Sequence, residues 1–196
     1  MSHYRNRIAA VLTVLALMPL QAATVSRQSA DAFAAKVARI QRQGADPRAS
    51  GRTPLTEDEI NSWFAYQGQS MLPVGVMQPQ ISIVGEGKVS GQAVVDLDAV
   101  ASRRRSSGFD PFSFVGGKVP VTITGTLHTQ NGQGRFEVES ADVSGVPVPA
   151  TLLQELLTYY SRTPERPQGL RLDGSFALPA SIRQIEVGQG QAVVVQ

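Results

Sequence analysis

Residues able to do chemistry are few in this chain, and their spacing suits almost no reaction. There are two histidines, His3 and His128, and no cysteine. Zinc needs three or four Cys, His or carboxylate ligands, and a lone His128 on a segment of strand-like alternation does not supply them. A Ser-His-Asp set would have to recruit the same His128, and no G-x-S-x-G turn presents a serine. Asp96/Asp98 and Glu137/Glu139 are carboxylate pairs two residues apart on alternating segments, so each pair shares one side of a strand. Such a pair could serve as acid and base or hold calcium, but it is also what a solvated strand face carries. Gly85-Glu86-Gly87 and Gly116-Gly117-Lys118 each lead into a strand pattern rather than a helix, which excludes a phosphate-cradling turn. The expectation is a protein with no catalytic residues, no metal and no cofactor.

Two other features could bind rather than react. Arg103, Arg104 and Arg105 stand close to Phe109, Phe112 and Phe114 in a long irregular segment. Cations beside aromatics suit contact with a membrane surface or an envelope protein, at about 1 kcal/mol per cation near anionic lipid. The second feature is a surplus of apolar helix faces. Phe33/Val37/Ile40, Ile60/Trp63/Phe64 and Leu152/Leu153/Leu156/Leu157 recur at helical spacing. If helix and sheet do not close on each other, Trp63, Phe64, Leu152, Leu153, Leu156 and Leu157 would line an apolar groove. Burial gains about 0.8 kcal/mol per methylene, so an acyl chain needs no charged contact to bind there.

The elements that must position these residues are legible in outline. Ser29 to Gln43 has an amphipathic helical period, and Ala45 to Arg52 reads as a polar linker. Thr56-Glu57-Asp58-Glu59 is a capping box that opens a second helix, flanked by Leu55 and Ile60 at the staple positions. From Val74 the period becomes two. Strands are expected up to Gly85 and from Val89 to Leu97, then from Lys118 to Gln130 and back from Phe136 through an Asn131-Gly132 turn. Pro147 to Ser161 carries a third helix with Pro149 in its first turn. Strands over Leu170–Leu178, Ile182–Val187 and Gln191–Gln196 complete the order α-α-β-β-β-β-α-β-β-β. Hairpin spacing without a βαβ rhythm predicts an α+β fold on antiparallel sheet.

The N-terminus sets the expected compartment. Arg5 and Arg7 precede the apolar run Ile8–Leu20, and Gln21-Ala22-Ala23 follows. That is the layout of a secretory signal peptide cut after Ala22 or Ala23. The chain carries 18 Lys and Arg against 16 Asp and Glu, so loss of Arg5 and Arg7 leaves the mature chain neutral. A neutral chain has no basic field for nucleic acid. Residues 1–23 are therefore expected as a signal peptide, 24–52 as an N-terminal helix with its linker, and 53–196 as one domain of a periplasmic or secreted protein.

Four stretches carry a resemblance: LTEDEINSWFAY, VVDLDA, GVPVPATLLQELL and FALPASIRQIEVGQGQAVV. Together they span roughly Leu55 to Val195. They resemble the tubular lipid-binding (TULIP-like) group of small exported bacterial proteins, which includes families like the mannan-maturation lipoprotein. The resemblance implies a strongly curved antiparallel sheet wrapped around one or two helices, a groove for lipid tails and no catalytic residues. This chain has no cysteine for lipid attachment, and its Arg103–Arg105 run has no counterpart in that pattern. Binding of lipid or another hydrophobic ligand is the expected function, and a structural or assembly module that docks on an envelope protein is the alternative.

Overall fold

The computed structural model describes residues 25–46, 48, 50–102, 116–162 and 167–196. Helix α1 (Arg27–Gly44) starts two residues before the sequence pattern suggests, because Ser26 supplies its cap by accepting from Ser29 N at 3.1 Å. Helix α2 (Glu57–Tyr66) opens on the expected capping box. Glu59 N donates to Thr56 Oγ1 at 3.2 Å and Thr56 N to Glu59 Oε2 at 2.9 Å. Three acids in its first turn suit the positive end of the helix dipole.

Among the described residues nine strands form two antiparallel sheets. The smaller has the order β1-β9-β8, from β1 (Arg52–Thr56), β8 (Gln184–Val187) and β9 (Gln191–Val195). The larger runs β2-β3-β4-β5-β6, with β2 (Val76–Gly85), β3 (Lys88–Asp96), β4 (Lys118–Gln130), β5 (Gln133–Val143) and β6 (Val146–Pro147), while β7 (Ser175–Ala177) also pairs with β5. This larger sheet is open at both sides and forms no closed tube. The α+β class is as expected. Asn131 and Gly132 have φ of 51° and 76°, the pair of left-handed residues that a two-residue hairpin between β4 and β5 requires.

Several elements differ from the sequence expectation. The polar linker ends in a strand: in β1, Thr53 is buried while Arg52 and Pro54 face out. Pro54 is tolerated because β1 is an edge strand that need not donate there. Leu170–Leu178 shortens to β7, and the short helix α3 (Leu97–Ser102) follows β3. Helix α4 (Ala150–Ser161) begins just after Pro149, which sits at its N-cap rather than in its first turn. The expected boundary at 52/53 lies within β1, and α1, whose placement the sequence leaves open, packs on α2.

The closed core is small and lies under the smaller sheet. Ile40 of α1, Ile182 and Val194 are buried there, with Leu55, Leu178, Ala180 and Ile185 around them. Gln196 is buried and donates from Nε2 to Ile40 O at 2.8 Å and to Ala180 O at 2.6 Å.

Between the two sheets, side chains take the place of missing strands. Thr129 Oγ1 of β4 donates to Ile185 O and accepts from Ile185 N, both at 2.8 Å. On the outer edge of β2, Asn61 of α2 donates from Nδ2 to Ile81 O at 2.8 Å and accepts from Ile81 N at 2.7 Å. Glu57 accepts from Ile83 N at 2.7 Å, and Gly190 N donates to Ile83 O at 2.8 Å. An edge strand presents unpaired backbone groups, and here α2 serves Ile81 N, Ile81 O and Ile83 N while Gly190 of the β8–β9 turn serves Ile83 O.

Removing the Asn61 amide leaves the Ile81 N–H and C=O without their partner, at a cost of about 1–3 kcal/mol. Asn61→Ala and the volume-conserving Asn61→Leu are both expected to lower the unfolding free energy by this amount, seen as a lower urea midpoint. Equilibrium denaturation checks it, and an unchanged midpoint in Asn61→Leu would show that the bonds are unimportant.

Candidate functional site

Alternation divides the larger sheet into an apolar and a polar face. Residues paired across neighbouring strands share a face, so each row can be followed from one side of the sheet to the other. One row is Ile81–Gly91–Ile123–Ala141 and the next is Ile83–Val89–Gly125–Val138. Further along, Val76 pairs with Val95 and Val95 with Val119, and Ala93–Val121–Val143 forms another row. Two covers lie over this apolar face. Helix α2 packs on β2, where Ile83 is buried while Ser82 and Val84 are exposed. Helix α4 packs on β5, where Ala141 is buried while Glu137, Glu139 and Ser140 are exposed. Between them, Ala93, Val95, Val119, Val121 and Ile123 are only partly buried. With β3 and β4 intervening, the two helix-bearing strands stand about 14 Å apart at the usual spacing.

The six residues expected to line a groove are placed as follows. Trp63 does not face the sheet with Phe64. Its ring packs on Phe33 of α1 with centroids 5.5 Å apart and on Phe64 at 5.3 Å. It also lies flat over Gly68, where an added Cβ would come within 2.6 Å of the ring. The buried α2 residues are the polar Asn61 and Ser62, not Ile60 or Phe64, because Asn61 serves the β2 edge and Ser62 accepts from Ser26 N beside the start of α1. On α4, Leu153, Leu156 and Leu157 are partly buried and Leu152 is exposed. The two sets therefore sit at opposite sides of the apolar face rather than in one contact. Arg103, Arg104, Arg105, Phe109, Phe112 and Phe114 lie outside the described residues, as do Met1 to Thr24.

A cleft of about 900 Å³ adjoins this face at the β2 side. Phe64 of α2, Leu72 after the 3₁₀ turn Gly68–Met71, and Val76, Met77 and Ile81 supply its apolar lining. Gln69, Gln78, Gln80 and Ser82 add neutral polar groups. Val76 and Ile81 begin two of the rows described above, so the cleft borders the apolar face at the edge of β2. The sequence reading missed this cleft, since Gly68 only ends a helix there and the stretch from Val74 reads as an ordinary strand. Its signal was Met71, Leu72, Val74, Val76 and Met77 interleaved with Pro73, Gly75 and Pro79.

The candidate chemical groups all have structural partners. Asp96 Oδ1 accepts from Ala99 N at 2.9 Å and so caps α3, and Asp98 Oδ2 accepts from Gly117 N at 3.0 Å. On the polar face, Glu137 meets His128 Nε2 at 3.3 Å and Arg135 at 3.4 Å. Glu139 turns instead to Lys88 Nζ at 2.7 Å and Thr126 Oγ1 at 2.7 Å. Among the described residues no cluster of three His, Cys, Asp or Glu side chains is placed to hold a metal ion. Among the same residues no helix is long and apolar enough to cross a membrane. No protein-family model, curated protein or solved structure matches this chain.

Three surface carboxyls have a definite electrostatic bias. The Lys88 ammonium, with help from the Thr126 hydroxyl, holds Glu139 below the usual carboxylate range. Arg52 does the same to Glu186, and Arg171 to Asp173. A pKa lower in the folded than in the unfolded state adds stability that is complete above the unfolded value and is lost as pH falls through the folded one. The urea midpoint should therefore hold steady from neutrality downward and decline once the pH drops below about 4. Lys88→Met is expected to make that decline shallower; an identical acid profile in the variant would contradict the pairing.

Proposed function

We propose that this protein binds a hydrophobic ligand, an acyl-chain amphiphile, along the apolar face of its larger sheet, and that it catalyses no reaction. The single observation that carries this is that, among the described residues, that face is incompletely covered. Two helices guard its sides while the valines, alanine and isoleucine of β3 and β4 remain partly exposed between them. A chain of ten methylenes laid there would gain about 8 kcal/mol of gross burial free energy. That is sufficient for useful affinity after the costs of immobilising the ligand.

Other observations favour binding over catalysis. Each carboxylate pair is engaged in capping or in ion pairs, and His128 sits half-exposed against Glu137 on the polar face. The resemblance of the four stretches to tubular lipid-binding proteins supports the same reading, and it rests on this chain's own residues. The leader-like Met1–Ala23 supports export to the cell envelope. An open sheet shapes the proposal: the ligand would lie in a trough, not inside a tube.

Protein purified without detergent and sprayed under native conditions is expected to carry lipid-sized adducts that are lost on organic extraction. A clean apo mass, together with no uptake of added amphiphile, would end the proposal. Should the face instead capture a protein subunit at defined stoichiometry, the assembly role takes its place.

A further inference from the structure

The charge of the cleft at the β2 side selects among amphiphiles. Val76 and Ile81 line the cleft and also begin rows of the apolar face, so the cleft borders that face at the edge of β2 and a ligand tail that ends at this edge brings its polar end to the cleft. There, where the cleft wraps the edge of β2, it meets the exposed amide of Gln78 in the bulge and, past the edge on the polar side that Gln92 and Ser90 share, the amide of Gln80 and the hydroxyl of Ser82. These groups hydrogen bond without carrying charge. Among the described residues no lysine, arginine or histidine lines the cleft, and Glu57 is the one charged side chain there. The Glu57 carboxylate is fixed in place by Ile83 N at 2.7 Å. A phosphate or carboxylate headgroup would find no counter-ion there and would face that fixed negative charge. Hydroxyl groups would find donors and acceptors in the glutamines.

Resting on the hydrophobic-ligand reading above, we propose that this cleft receives the ligand's headgroup and that the headgroup is uncharged and rich in hydroxyls. A volume of about 900 Å³ lies within the usual range for a small-molecule site. The irregular backbone of β2 also disfavours a peptide here. Pro79 removes a donor, Gln78 has φ of 48°, and the pairing with β3 shifts register between Met77 and Gln80.

The test compares three probes with the same twelve-carbon tail: dodecyl maltoside, dodecyl phosphate and dodecyltrimethylammonium, each below its micelle-forming concentration. Binding is read by calorimetry and by the fluorescence of Trp63, the only tryptophan, whose ring lies 5.3 Å from Phe64 at the cleft. The expected result is a Kd for the maltoside about tenfold below that for the phosphate. Gln80→Lys, at an exposed position and checked for an unchanged circular dichroism spectrum, should shrink or reverse that ratio. Equal affinities for all three probes, or tighter binding of the phosphate or the ammonium, would overturn the headgroup assignment and leave the hydrophobic-ligand reading standing. Failure of all three to bind would overturn both.

Discussion

A strand at the edge of a sheet must have its backbone N–H and C=O groups satisfied, and β2 meets that requirement through α2. Asn61 and Glu57 reach across to Ile81 and Ile83 in place of a neighbouring strand. That need fixes the helix at the sheet's side and explains why a polar residue, Asn61, is buried in it. Everything attached to α2 reinforces the position. Thr56 is both the last residue of β1 and the cap of the helix. Lys36 of α1 reaches Glu59 at 2.6 Å, and Ser26 N donates to Ser62 Oγ at 3.1 Å. The Lys36–Glu59 pair is partly shielded from solvent, so it is worth more than an exposed ion pair, whose usual value is below about 1 kcal/mol.

A helix held at the edge cannot also lie across the middle of the sheet. The closed core therefore forms elsewhere, between α1 and the smaller sheet around Ile40, Ile182 and Val194. The larger sheet keeps an apolar face with helices at its two sides and a partly exposed strip between. Stability and binding are thus separated in space: one sheet closes the molecule, and the other offers apolar surface. The cleft follows from the same arrangement, because α2 and the 3₁₀ turn after it stand off the irregular start of β2.

Much of the framework could be read from residue patterns. The capping box at Thr56, the Asn131-Gly132 hairpin, the alternation of β3 to β5 and the proline before α4 are local signals, and local chemistry decides them. Strand β1 was hidden because Arg52, Pro54 and Thr56 are polar or helix-breaking, and only its pairing with β9 makes it a strand. The groove residues were half legible. Helical spacing marks Phe64 and the α4 leucines as apolar, but it cannot say that Trp63 turns toward Phe33 or that Asn61 and Ser62 take the buried positions. Those outcomes depend on which backbone groups in a distant strand lack partners. The cleft was illegible for a similar reason, since its walls come from a turn, a bulged strand and a helix that the chain brings together only on folding.

The sharpest measurement is methyl NMR with a nitroxide-labelled acyl chain on a neutral headgroup. An acyl tail lying in the trough would broaden the methyl signals of Val95, Val119, Val121 and Ile123, while those of Ile40, Ile182 and Val194 in the closed core stay sharp. Uniform weak broadening over the surface, or broadening confined to residues away from β3 and β4, would contradict it.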